Sequence, residues 1–323
     1  MKIMRKSLFA AVAALLFPAP CASLAQAWPG KPVRFILPSQ AGSSADIAAR
    51  ALAQALSKTW NQPVVVDNRP GGGTVVATQA LAGAAPDGAT FGWVIAAHAV
   101  NPALRKNLPY DTLRDFSGVT LLYSLRSVII ASPGFPARDV AALMKLAKSA
   151  PGGLSYTSPV TGSLPHLLGE LFNVQNDLHM QYIAYKGSPA AHTDVMAGRV
   201  PVMFDILPGA LPLVRRGDVK AIAVIGDEPA TELPDVPALP GLLPSDATSG
   251  WNGIVVPAAT PRTIVRRLNS DIVAAVRTPE MQKVLANLTV NTVTNSPEEF
   301  DAFIRREVTR WGEIVQRIGM KPE

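Results

Sequence analysis

Pro32-Val33-Arg34-Phe35-Ile36-Leu37-Pro38-Ser39-Gln40-Ala41-Gly42-Ser43-Ser44-Ala45-Asp46-Ile47 reads as a strand, a short loop of small residues and the start of a helix. The run to Leu37 is rich in β-formers and stops at Pro38. From Ile47 the apolar residues Ala51, Leu52, Ala55 and Leu56 recur at helical spacing. The same grammar repeats outward. Pro63 to Val66 is a strand ending in the turn-rich Asp67 to Gly73, Val75 to Ala84 a helix, and Thr90 to Ala96 a strand. Further on, strands are expected at Val128–Ile130, Leu154–Thr157, Met180–Tyr185, Val200–Ile206, Val219–Ile225 and Ile254–Val256. Helices are expected at Ala137–Ala150, Ser163–Asn173, Pro189–Ala197, Pro208–Arg216, Pro261–Arg277, Pro279–Leu288 and Pro297–Ile318. Such alternation predicts an α/β fold with parallel sheets covered on both faces. Thr231 to Gly250, rich in proline and turn residues, is expected to wrap the surface.

The 323 residues suit two domains at roughly 150 residues each. With 48% hydrophobic and 17% charged residues the chain is not a solvated disordered one. The 24 glycines and 29 prolines follow no G-X-Y period, which excludes a collagen-like rod. The net charge of +6 sits partly in residues 1–27, which read as a cleaved secretory signal. Lys2, Arg5 and Lys6 precede the apolar run Leu8–Phe17, and Ala25-Gln26-Ala27 supplies small residues for cleavage. That run is too short for a span of about 20 residues. Lipidation at Cys21 is a minor alternative that Pro18-Ala19-Pro20 disfavours. Cleavage removes Cys21, the one cysteine, leaving no disulfide and no thiolate chemistry. The expected location is the periplasm.

Enzyme signatures mostly fail. There is no G-x-S-x-G and no G-x-x-x-x-G-K-[ST], and Val76 stands where a dinucleotide fingerprint from Gly71 needs its third glycine. His98, His166, His179 and His192 show no metal-ligand spacing, so no metal and no cofactor is expected. The basic pairs Arg215-Arg216, Arg266-Arg267 and Arg305-Arg306 lack interleaved aromatics, which argues against nucleic acid.

What recurs is a strand, a small-residue loop and a helix start: Ser39–Asp46, Thr157–Ser163, Tyr185–Pro189 and Asp205–Gly209. A helix N-terminus offers free N–H groups and about half a positive charge. Several aimed at one cleft would hold a carboxylate or phosphate without an arginine, at the carboxyl ends of the strands. Each loop also has a plain reading, since Ser43-x-x-Asp46 fits a broad capping box and Ser188 before Pro189 a simple N-cap. Asp205, in the apolar run Val202–Leu207, must be paired; it either accepts from a ligand or caps neighbouring backbone.

Trp28-Pro29-Gly30-Lys31-Pro32-Val33-Arg34, the Gly42–Asp46 loop, Gln62 to Gly71, Ala85-Pro86-Asp87-Gly88 and Asn101-Pro102 with Leu108-Pro109-Tyr110-Asp111 occur in a telling order. Thr157-Ser158 with Gly162-Ser163 and His166, Tyr185-Lys186-Gly187-Ser188, Phe204-Asp205, Leu233 to Pro237 and the Pro257–Pro261 turn continue it. In this series the chain resembles the Bug proteins, periplasmic solute receptors of tripartite tricarboxylate transporters. The resemblance implies a two-lobed periplasmic-binding-protein fold (type II-like) with two hinge crossings and a ligand cleft between the lobes. Lobe one would comprise residues 28–124 with 227–323, and lobe two residues 125–226.

It further implies that Ser39, Gly42, Ser43, Ser44 and Asp46 hold one end of a carboxylated ligand. Thr157, Ser158, Gly162, Ser163, His166, Tyr185, Lys186, Gly187 and Asp205 would contribute from the second lobe, and His98 from a loop facing the cleft. Ala45 stands where the family often has threonine, and Pro159-Val160 where glycine is usual. The expected ligand is a small carboxylated metabolite, the partner a membrane permease pair, the state a monomer, and no catalysis is expected. The competing reading is an exported α/β hydrolase or transferase using Ser158 or Ser163 with His166 and Asp205.

Overall fold

A computed structural model describes residues 28–150, 153–185, 187–244 and 250–322. The signal-like segment and Cys21 lie outside the described residues, as does Lys186. The opening half runs β1 (Val33–Leu37), α1 (Ser44–Trp60), β2 (Val64–Asn68), α2 (Val75–Ala82), β3 (Thr90–Ile95), α3 (Ala97–Leu104) and β4 (Phe116–Ser124). Next come β5 (Ser127–Ala131), α4 (Val140–Ser149), β6 (Ser155–Thr157), α5 (Leu164–Gln175), β7 (Gln181–Ile183), α6 (Ser188–Met196) and β8 (Val202–Ile206). The chain continues through α7 (Leu207–Arg216), β9 (Lys220–Ile225), β10 (Ala238–Leu239), β11 (Trp251–Pro257), α8 (Arg262–Val276), α9 (Pro279–Asn287), β12 (Asn291–Thr292) and α10 (Pro297–Arg317).

Two six-stranded sheets result, ordered β12-β4-β11-β3-β1-β2 and β10-β9-β5-β8-β6-β7. β1 lies between β2 and β3, parallel to both, and four of its five residues are buried apolar ones, as a strand covered on both faces requires, with Arg34 reaching Asp67 of β2. The sheets are not wholly parallel, as the sequence suggested. β11 runs antiparallel to β3 and β4, and β5 antiparallel to β8 and β9. The reason is topological. The chain leaves the first sheet at Ser124 and enters the second at Ser127 without a helix between, so β5 starts at the end where β8 finishes. β11 returns in the same way beside the end of β3.

The short strands β10 and β12 escaped the sequence reading, and so did two longer elements. β4 is buried along most of its length between β11 and β12. α3 contains Pro102, which ordinarily ends a helix by freeing the carbonyl four residues back. Here the freed His98 carbonyl accepts from the Thr112 hydroxyl at 3.1 Å, so the helix survives. The Thr231–Gly250 segment is more structured than a surface wrap: β10 pairs with β9, and Ala230 and Leu233 are buried.

Each sheet has its own apolar cluster. A third joins Phe172 and Phe204 of the second sheet's layer to Trp251, Phe303 and Trp311. Helix α10 packs on β4 and α3 and also reaches α5, spanning both lobes.

Candidate functional site

Between the sheets lies a cavity of about 310 Å³. Among the described residues, five helices begin at its wall. Ser44 and Ala45 open α1, Ala96 and Ala97 cap and open α3, and Ser163, Leu164 and Pro165 do the same for α5. Ser188 opens α6, and Ile206 and Pro208 start α7. All five follow the carboxyl ends of β1, β3, β6, β7 and β8. Two of these helices belong to the first sheet's layer and three to the second's. First-turn amides have no partner within their helix, so this wall carries concentrated positive potential. No charged side chain lines the cavity among the described residues.

The first loop is held from behind. Gly42 sits at φ +80°, the left-handed region that favours glycine. Its N–H donates to Asp46 Oδ2 at 2.9 Å. Ser43 caps α1 by accepting from the Asp46 amide. The buried Asp46 carboxylate also accepts from Arg50 Nε at 2.9 Å and Asn68 Nδ2 at 2.8 Å, and Asn68 reaches the Ser39 carbonyl at 3.0 Å. The Arg50 hydrogen bond foremost holds the Asp46 carboxyl down to about 2. Ser39 and Ser44 face the cavity, whereas Gly42, Ser43 and Asp46 brace the loop.

The second lobe follows the same division. Thr157 Oγ1 donates to the Ile183 carbonyl at 2.7 Å, and Ser158 Oγ bonds the Val160 carbonyl and the Tyr182 hydroxyl. His166 Nδ1 accepts from the Gly162 amide at 3.1 Å, and its ring packs on Tyr182. The Tyr185 hydroxyl donates to Asp194. Gly187 caps α6. Ser163 differs, since it lines the cavity and its buried hydroxyl has no hydrogen-bond partner.

Asp205 is fully buried, and both its oxygens are engaged, Oδ2 with His192 Nε2 at 2.6 Å and Oδ1 with the Ile206 amide at 2.8 Å. Burial pushes its carboxyl up, opposed by the His192 hydrogen bond. The pair ties α6 to the end of β8, and the Ile206 amide is the neighbouring backbone that the sequence reading offered as one alternative. His192, of which the sequence reading said only that it lacks metal-ligand spacing, is the partner that reading missed. These bonds also dismantle the hydrolase arrangement, since His166 is directed at Gly162, Asp205 at His192, and Ser163 at no base.

His98 corrects another expectation. It lies in α3 and not in a loop facing the cleft, and it is fully buried against Tyr110 and Phe116. Neither ring nitrogen has a partner, and burial brings its imidazole down to about 4. The cavity wall instead includes Tyr123, Leu125, Trp251, Asn252, Leu288 and Val290, none of which the sequence reading named. All stand at the crossing end of the first sheet, where Trp251 pairs with Ser124 and Asn291 also pairs with Ser124. Only three-dimensional register brings them together.

Residues 48–320 match the tripartite tricarboxylate transporter family receptor. Protein BugT of Bordetella pertussis is 32% identical over 300 residues, 92% of each chain. The solved structure of periplasmic binding protein BugD superposes with a TM-score of 0.78 at 28% identity, covering 92% of this chain and 100% of that one. The R. palustris protein Rpa4515, solved with adipate, gives a TM-score of 0.80 at 27% identity over 92% and 100% of the two chains.

Proposed function

The chain belongs to the tripartite tricarboxylate transporter family of receptors, solute-binding proteins and not enzymes, and we propose that its inter-lobe cavity grips a carboxylate by helix amides from both lobes. The observation that carries this reading is the convergence of five helix N-termini on one cavity free of cationic side chains among the described residues. Oriented amides in a dry cleft bind an anion without the desolvation that a buried arginine brings. The adipate held by the R. palustris relative is a ligand of that chemistry.

In this reading the contacts are the first-turn amides of α1, α3, α5 and α6, helped by the Ser39, Ser44, Ser163 and Ser188 hydroxyls. Asp46, Asp205, Thr157 and Ser158 set the loops in place and touch no ligand. Lys186 stays in the proposed set by its position between Tyr185 and Gly187. The lobes close about two crossings, one at residues 125–126 and one between β10 and β11, a hinge motion of the familiar kind. β10 belongs with the second lobe, which moves the second crossing past Gly226. The mature receptor starts after Ala27, works in the periplasm as a monomer and delivers its ligand to a membrane permease pair.

A proline substitution isolates the amide contribution. Ser44 is the first residue of α1, where proline is well tolerated, and the preceding Ser43 has the extended backbone (φ −69°, ψ 162°) that proline demands of its neighbour. Ser44→Ala removes the hydroxyl alone, and Ser44→Pro removes the N–H as well. The expected result is carboxylate affinity about tenfold weaker in Ser44→Pro than in Ser44→Ala, consistent with a hydrogen bond to a charged group. Equal affinities in the two variants, measured by calorimetry, would refute the amide grip.

A further inference from the structure

The loop before α5 is held by a histidine whose own chemistry is set from behind, and we infer that Glu170 is a positioning residue for ligand binding, fixing the His166 tautomer that keeps this loop in place. The inference rests on the carboxylate reading above and goes one layer deeper. Ser163 is the N-cap residue of α5, yet its side chain makes no capping bond; its hydroxyl is buried at the cavity wall with no hydrogen-bond partner. An N-cap serine ordinarily turns that oxygen onto its own helix. Here the buried imidazole of His166, third residue of α5, reaches back instead, and its Nδ1 accepts from the Gly162 amide at 3.1 Å. The arrangement resembles a capping box moved back by one residue, with histidine in place of glutamate. Gly162 sits at φ +74°, and its Cβ position lies 3.6 Å from Leu104 Cδ1 of α3, so the loop also touches the first lobe.

Only one form of the ring serves. The Gly162 N–H is a donor, so Nδ1 must carry a lone pair. On the other side Nε2 faces Glu170 Oε1, one turn along α5, at 3.6 Å. The contact with His166 foremost holds the Glu170 carboxyl below its usual range, so the group is ionised and only accepts. Nε2 must then carry the proton, the choice between the two nitrogens being set by what each one faces. A proton on Nδ1 would bring two donors together at Gly162 and release the loop. The Tyr156 hydroxyl of β6 donates to the same Glu170 oxygen and fixes the carboxylate in turn. Tyr182 of β7 closes the other side. Its ring centre lies 3.9 Å from that of the imidazole, and its hydroxyl bonds Ser158 Oγ at 3.0 Å and Thr161 Oγ1 at 3.3 Å, two further points on the same loop. The contacts therefore run from Tyr156 through Glu170 and His166 to Gly162, and end beside the hydroxyl that Ser163 offers to the cavity.

The test reads tautomer and affinity separately. Nitrogen-15 NMR at about pH 8, where histidine side chains are ordinarily neutral, shows which ring nitrogen of His166 is protonated, the resonances being assigned by their loss in His166→Ala. Calorimetry gives the affinity for whichever of benzoate, succinate and citrate stabilises the protein most. The wild type should carry its proton on Nε2. Glu170→Gln keeps an oxygen for the Nε2–H and should keep both tautomer and affinity. The double variant Tyr156→Phe, Glu170→Leu removes that oxygen without stranding the Tyr156 hydroxyl. It should show a measurable Nδ1–H fraction and bind about tenfold more weakly, the scale of one lost hydrogen bond, whereas Tyr156→Phe alone should keep the Nε2–H form. A wild-type ring protonated on Nδ1 would overturn the inference without any variant. So would wild-type affinity in the double variant, or weaker binding with the Nε2–H form fully retained, since Glu170 would then act through the fold alone. Failure of all three carboxylates to bind the wild type would overturn the carboxylate reading, while the tautomers of the unliganded proteins still decide whether Glu170 sets the His166 ring.

Discussion

Asp205 and His192 bind each other behind the cleft, and removing either leaves the other without its partner in a buried layer. Asp205→Ala should cost about 3 kcal/mol in urea unfolding. His192→Ala should cost a similar amount, with a coupling above about 1 kcal/mol in the double-mutant cycle; additive losses would show that the two do not act as a pair. Two other buried groups set the acid response. His98 titrates at about 4 in the folded chain against 6.5 unfolded. Between those values the unfolded chain binds a proton that the folded chain refuses, so its contribution is complete above pH 6.5 and lost as pH falls toward 4. Asp46 lies at about 2 against 3.8, which places its loss lower, as pH drops from 3.8 toward 2. The expected sizes are about 3 kcal/mol for His98 and about 1 kcal/mol for Asp46, whose partner Arg50 is more than half exposed. Urea midpoints from pH 7 to 2 should flatten in the upper window for His98→Leu and in the lower for Asp46→Asn; curves parallel to the wild type would contradict both assignments. At this scale the sequence was a partial guide. It showed that a carboxylate in Val202–Leu207 needs a partner, but whether that partner was ligand or histidine depended on how α6 folds back over β8.

Strands and helix starts were the most legible elements, because alternating apolar runs and proline or serine at helix entrances are local signals. α5, α6 and α7 each begin within a residue of the position read from sequence, and α1 begins three residues before Ile47. β4 and α3 were illegible for opposite reasons. β4 mixes Ser117, Gly118 and Thr120 into a central strand, diluting the apolar pattern. α3 carries a proline whose cost is offset by Thr112, a residue outside the helix. Packing between elements gives a contrasting pair of glycines. A Cβ on Gly253 in β11 would lie 2.2 Å from Phe300 Cζ of α10, a ring with no exposure, so Gly253→Ala should lose about 2 kcal/mol by overpacking. Gly312, inside α10, has nothing within 4 Å of its Cβ position. Gly312→Ala should therefore gain up to about 1 kcal/mol from helix propensity. Thermal unfolding of the two variants checks both signs; a loss in each would show that α10 tolerates no added volume.

Over the whole molecule, two chain crossings and one long helix join the lobes. The crossings touch each other, since the Leu125 amide donates to the Gly250 carbonyl at 2.7 Å. Arg126 bonds the Glu228 and Pro229 carbonyls beyond β9. α10 bridges the lobes on apolar packing. The two-lobed architecture came from the order of motifs along the chain. The mixed strand directions and the apolar residues of the cavity wall did not, because both arise from segments distant in sequence meeting at the crossings. The central claim is that amides from both lobes hold one anion. Hydrogen–deuterium exchange, with and without whichever of benzoate, succinate and citrate stabilises the protein most, tests it directly. The account predicts slowed exchange in the first turns of α1 and α3 together with those of α5 and α6. Protection confined to one lobe, or absent from all four helix starts while the ligand is bound, would contradict it.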